Sequence, residues 1–123
     1  MARAAALHFT DALGVGLAAA GSPVGAPYRL FSKHSSSRGP ATVFGETQGA
    51  AAADAVLVNG GLMHSLEFDD THTASIIHGS SVIAATALAA AEAGGATGAA
   101  LLGAYVRGWE VIDQHHLHKN YSF

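Results

Sequence analysis

Asn59-Gly-Gly-Leu-Met-His-Ser-Leu-Glu-Phe-Asp-Asp-Thr-His72 is the stretch on which the reading of this chain turns. Its first half closes a helical run that begins at Gly49 and reaches Phe68, with Ala53, Val56, Leu57, Leu62 and Leu66 as candidate buried positions. Its second half opens a polar loop, Asp69 to Gly79. Two features set it apart. Gly60-Gly61 sits inside the helical run, where each glycine costs about 1 kcal/mol relative to alanine, so close packing or the approach of a ligand must compensate. In addition, His64, Glu67, Asp69, Asp70, Thr71, His72 and His78 crowd together in a chain of which only 12% is charged.

Towards the N-terminus, Ala4 to Ala20 reads as a helix with Leu7, Leu13, Val15 and Leu17 as its larger apolar residues, stopped at Gly21-Ser22-Pro23. Ser22 to Thr47 holds all three prolines and a serine-rich run, and reads as a long loop with Ala41 to Phe44 extended. Towards the C-terminus, Ser80 or Ser81 caps a helix that runs to Ala93 and ends at Gly94-Gly95. Thr97 caps a last helix, Gly98 to about His116, with Leu101, Leu102, Tyr105, Trp109 and Ile112 at helical spacing. No internal repeat is present. The expected fold class is all-α, several packed helices with a long Pro/Ser-rich loop, in one domain over residues 1–123.

Bulk composition narrows the function classes. The 123 residues are half apolar, but alanine and glycine dominate and Phe, Trp and Tyr make only 7%. Such helices pack closely, yet at roughly 25 cal/mol per Å² their core is thin, which favours reliance on a partner surface. A net charge of −3 with six scattered cationic residues argues against nucleic-acid binding. The absence of cysteine removes disulfides, thiolate metal sites and thiol nucleophiles, and fits a cytoplasmic protein. Met1 to Gly21 has some signal-peptide character, weakened by His8 and Asp11. Val82 to Val106 is long enough to span a bilayer, but Glu92 and the Gly94-Gly95 break favour two short helices and no membrane span.

Residue chemistry leaves three readings of the His/acid segment open. It can be a solvated loop with capping Asp and Thr residues. It can gather imidazoles and carboxylates on Zn or Fe, with His64, His72, His78 and the Asp pair as ligands, although the spacing matches no strong metal signature. It can also be an acid/base site in which an Asp orients an imidazole.

The segment resembles the MmgE/PrpD family, in which an Asn-Gly helix leads through His to an acidic-Phe-Asp-Asp-Thr loop. His78-Gly-Ser-Ser, the Ala-rich helix and Gly108-Trp-Glu-Val111 continue the pattern in order, as do Asp11-Ala-Leu-Gly14 and Val43-Phe-Gly45 earlier in the chain. The resemblance implies a cofactor-independent lyase or isomerase (2-methylcitrate dehydratase, cis-aconitate decarboxylase and iminodisuccinate epimerase are members) that moves a proton next to a carboxylate of a small polycarboxylate. It implies no metal or organic cofactor, a homodimer formed through the helical domain, and a separate lid domain. Position by position, it puts His78, Glu67 and Thr71 in the catalytic pocket, and Asp69, Asp70 and His72 in binding or orienting roles. His64 reads as a packed or supporting histidine. The chain departs from the pattern at Gly79 and at Ala84 or Ala85, where the family shows proline, and at Gln114, where it shows arginine. The loop between Asp70 and His78 is one residue longer than in some relatives. The family's second active-site histidine, its lysines and its lid lie beyond Phe123, so the expectation is a truncated N-terminal part of the helical domain, inactive alone. Two other functions compete with this one: a non-catalytic helical dimerisation module, and a small His/Asp metal-binding protein.

Overall fold

The computed structural model describes residues 2–35, 37–73 and 76–119, with side chains placed for residues 3–35, 37–73 and 76–114. The expectations for the tail at 115–123 therefore fall mostly outside the described residues. The described residues form five helices, α1 (Ala2–Ala20), α2 (Ala26–His34), α3 (Ala52–His64), α4 (Gly79–Gly94) and α5 (Gly98–Lys119), with a 3-10 turn at Pro23–Gly25 between the first two. Among the described residues there is no strand, only isolated antiparallel bridges at Ala41–Ala50 and His72–Ile77. The class is all-α, as the sequence predicts.

The α3–α4 pair is the centre of the packing. α1 lies chiefly on α3, α5 on α4, and α2 on α3. Among the described residues, eleven of the nineteen buried core side chains are alanines, so backbones approach closely and few large groups fill the middle. The largest wholly buried ones are Tyr105, Leu62, Met63, Val58 and Asn59. This dependence on small residues displaces the buried face of α3. Ala55, Val58, Asn59, Leu62 and Met63 are inside, whereas Leu57 and Ala53 are exposed and Val56 and Leu66 only half-buried. The same happens in α1, where Ala5, Phe9, Ala12 and Ala19 are buried while Leu7 and Leu17 face outward. In α5 the predicted stripe is present, with Tyr105 buried and Leu101, Leu102, Trp109 and Ile112 packed against the core.

The glycine pair is explained by approach. A Cβ on Gly61 would lie 2.0 Å from the Tyr28 ring, and one on Gly60 would lie 3.1 Å from the Ser81 carbonyl oxygen. The first lets α2 pack on α3, and the second lets α4 come close.

The long loop expected over Ser22 to Thr47 is corrected: a 3-10 turn and α2 occupy its first half. Pro23 and Pro27 sit in the first turns of those two elements, where a missing N–H leaves nothing unsatisfied and the fixed φ suits a helix start. Arg29 of α2 then donates from Nη1 to the carbonyls of Ala20 (2.5 Å) and Ser22 (2.9 Å), satisfying the end of α1 with a cation. The remaining segment, 37–51, is held by side chains. Wholly buried Asn59 accepts from the Phe44 N–H at 2.9 Å and donates to the Thr42 carbonyl at 2.7 Å. The Glu92 carboxylate accepts from the Thr42 N–H and hydroxyl at 2.7 and 2.5 Å.

The helix ends behave as their local chemistry requires. Gly95 adopts φ 62° beyond α4, and Ala96 N–H reaches back to the Ala91 carbonyl at 2.8 Å, the closure that favours glycine. Thr97 Oγ1 accepts from Ala100 N–H at 3.2 Å. The break leaves α4 and α5 as separate helices, and among the described residues no single helix is long and apolar enough to cross a membrane.

Candidate functional site

The site is built where α3 ends and α4 begins. α3 stops at His64, three residues earlier than an uninterrupted helical pattern would place Glu67, which takes a left-handed φ of 57°. His64 and Glu67 therefore do not share a helical face, contrary to their spacing. The turn brings Asp69 back under the helix end. Thr71 follows, a narrow loop pairs His72 with Ile77 (His72 N–H to Ile77 carbonyl, 2.9 Å), and His78 stands at the N-cap of α4.

These turns converge on one carboxylate. The Asp69 side chain is 1% exposed, and its Oδ2 lies 2.9 Å from His64 Nδ1 and 3.5 Å from His78 Nδ1. The two imidazoles meet edge-on with centroids 5.1 Å apart, and Thr71 Oγ1 stands 3.4 Å from His78 Nδ1. Asp69 Oδ1 is buried without a hydrogen-bond partner among the described residues. A carboxylate so placed is costly unless a cation compensates it, and the imidazoles are the groups positioned to do so. The Asp69 hydrogen bond raises the His64 pKa above its ordinary value; desolvation opposes this, and the charges of Asp69 and Glu67 add to it. With Nδ1 of each ring turned to Asp69, Nε2 is the nitrogen each histidine has for a substrate.

The remaining predicted residues go elsewhere. Asp70 Oδ1 accepts from the Ser80 N–H at 3.1 Å and Oδ2 from the Ser80 hydroxyl at 2.6 Å. It thus serves the N-terminus of α4, where a negative group is favoured. Neither Ser80 nor Ser81 caps that helix: His78 is the N-cap residue and makes no side-chain cap bond. Ser80 instead relays to the buried Tyr105 hydroxyl at 2.5 Å, and burial raises the Tyr105 pKa. His72 faces α5, with Nδ1 3.6 Å from Asp113 Oδ1. Glu67 is exposed; its N–H closes the turn on the His64 carbonyl at 3.0 Å and its carboxylate adds charge near His64. So Asp69, Thr71 and His78 are brought together, while Glu67, Asp70 and His72 are not part of that cluster.

His64 is the member that the sequence placed in a supporting role. Its partnership with Asp69 spans five residues across a helix end, a spacing with no fixed geometry until Glu67 turns left-handed. The signal available was compositional: two histidines flanking an Asp in a charge-poor chain.

Two grooves border the cluster. One is lined by Gly60, Gly61, His64, Ile77, His78 and Ser81 with apolar neighbours. The other is lined by His8, Asp70, Thr71, His72, Tyr105 and Trp109. Neither is lined by Lys or Arg among the described residues.

Comparison with curated proteins and with solved structures gives no match. A family model described as the MmgE/PrpD N-terminal domain, however, matches residues 1–121. The ordered pattern around Asn59 and His78 and the nearly full-length match agree: the chain belongs to the MmgE/PrpD family and carries its N-terminal domain.

Proposed function

We propose that this chain supplies one wall of a cofactor-independent acid/base site that moves a proton at a carbon next to a carboxylate of a small polycarboxylate. The observation that carries the proposal is the buried Asp69 carboxylate shared by two imidazoles. Family membership supports an enzymatic reading in general.

The chemistry follows from the geometry. His78, whose Nδ1 faces Asp69 Oδ2 at 3.5 Å and Thr71 Oγ1 at 3.4 Å, offers Nε2 to the substrate C–H. The proton moves to Nε2, and the electron pair left on carbon spreads onto the adjoining carboxylate. Asp69 stabilises the imidazolium so formed, as a buried carboxylate does in other His–Asp pairs. His64, whose pKa the Asp69 hydrogen bond raises, is the second ring placed to meet a substrate carboxylate or return a proton. Departure of a β-leaving group then gives elimination, and return of the proton to the opposite face gives epimerisation.

A substrate with two or three carboxylates needs more positive charge than the two grooves provide among the described residues. The proposal therefore includes further cationic groups from another protein surface, and turnover below detection for this chain by itself.

The test is a nitrogen-15 NMR titration of the histidine side chains with 2-methylcitrate and cis-aconitate near neutral pH. Nε2 of His78 and of His64 is expected to shift with either compound, and His78→Gln is expected to remove most of the response. No response of either ring at millimolar concentrations would refute the proposal. In an assembled, active enzyme the same substitution is expected to slow deuterium exchange at the substrate carbon by about 10²–10⁴-fold.

A further inference from the structure

We infer that His64, Asp69 and His78 form a binding site for one borderline divalent transition-metal ion such as Zn2+. Each of the three offers a ligand atom, and these atoms lie within 4.8 Å of one another. Around a tetrahedral ion with bonds near 2.0–2.1 Å, adjacent ligand atoms stand roughly 3.3 Å apart. The two nitrogen-to-oxygen separations, 2.9 and 3.5 Å, bracket that value.

Three further observations favour a cation. Asp69 is buried and leaves Oδ1 without a hydrogen-bond partner among the described residues. Both rings turn Nδ1 towards the same carboxylate oxygen, although that oxygen is close enough to form a normal hydrogen bond only with His64. Glu67 adds negative potential at His64. One dication compensates this concentration of negative charge by coordinating both nitrogens and the carboxylate. Two imidazoles with one carboxylate suit Zn2+ and its first-row neighbours, whereas Mg2+ and Ca2+ prefer all-oxygen sets. The groove beside His64 and His78 leaves the fourth position to water or to a ligand oxygen.

The site includes His64 and His78, one at the end of α3 and the other at the start of α4, with Asp69 in the turn between them. A bound ion therefore cross-links the two helices that carry most of the packing. It also takes the Nδ1 atoms that Asp69 otherwise orients. Metal-bound and proton-transferring forms are thus alternative states of one cluster, and the inference does not depend on the proposed reaction.

The test uses the full chain, stripped with chelator and dialysed, then titrated with Zn2+ by calorimetry and with Co2+ by visible absorption, with Mg2+ as control. Expected are one Zn2+ per chain at micromolar or lower concentration, a tetrahedral Co2+ spectrum and no Mg2+ binding. His64→Gln and Asp69→Asn are each expected to weaken Zn2+ at least tenfold, while His34→Ala, on exposed α2, leaves it unchanged. Circular dichroism checks that the variants are folded. Since half of the His64 side chain is already in solvent, that variant keeps the test decisive if Asp69→Asn unfolds. Binding weaker than millimolar, Mg2+ bound as well as Zn2+, or equal affinity in His64→Gln and the unsubstituted chain overturns the inference. Polycarboxylate shifts in the NMR titration would stand in any of those cases.

Discussion

At the scale of single residues, Asp69 and Asn59 show two uses of a buried polar side chain. Asn59 is paired at both its oxygen and its nitrogen and is structural: its amide supplies the partners that the Thr42 carbonyl and Phe44 N–H need in a segment with only one isolated bridge. Asp69 is incompletely paired, and its charge is what gives the site chemistry. The raised His64 pKa carries a stability consequence with a definite sign. Folding favours the imidazolium, so this contribution is complete below about pH 6.5, the ordinary value, and is lost as pH rises through the higher folded one. The urea midpoint of the chain, measured in chelator, is therefore expected to exceed that of His64→Gln at pH 5.5, with the gap narrowing by pH 8.5. A gap that stays constant across that range would remove the assigned charge interaction.

At the scale of elements, what was legible in the sequence was chemistry confined to a few adjacent residues. Gly95 ends α4 and Thr97 starts α5 because one left-handed residue and one hydroxyl suffice. Pro23 and Pro27 suggest a loop because proline breaks a helix interior, yet proline is welcome in a first turn, which is where both sit. The α3 face was shifted because close alanine packing buries Val58 and Met63 and leaves Leu57 outside. Of the site, His78, Thr71 and Asp69 were reachable through the motif, whereas the share of His64 and the diversion of Asp70 to α4 depend on how the turn folds. Gly79, where the family pattern has proline, has a reason in α5: a Cβ there would lie 2.4 Å from the Trp109 ring. Gly79→Ala, at the first position of α4, gains less than the helix-interior value of about 1 kcal/mol, and overpacking of about 1–3 kcal/mol outweighs it. The variant is expected to melt lower than the parent, and trimming the ring in Gly79→Ala/Trp109→Leu is expected to show favourable coupling in a double-mutant cycle. A Gly79→Ala variant that melts higher would mean the ring yields without cost.

At the scale of the whole molecule, an alanine-rich core and an apolar exterior belong together. Leu57, Val82 and Ile76 are each more than half exposed, and all three line the groove that holds His64 and His78. Contiguous apolar surface of this kind suits burial against a second protein surface, the surface that the proposed function requires beside the site. The segment from 37 to 51 has the opposite character, because its order is borrowed from helices that flank it. The Phe44 amide belongs to no helix or strand, yet its acceptor is a side chain wholly enclosed by α3 and its neighbours. Opening the segment releases that proton only by stripping buried Asn59 of its partners and exposing the buried Val43 and Phe44 side chains. In native-state hydrogen exchange it is expected to behave as a global-unfolding reporter, as slow as the α3 and α4 amides and equally sensitive to denaturant. Exchange faster than those amides by a hundredfold or more would show the segment detaching independently. A nominal loop would then register the cooperativity of the entire chain.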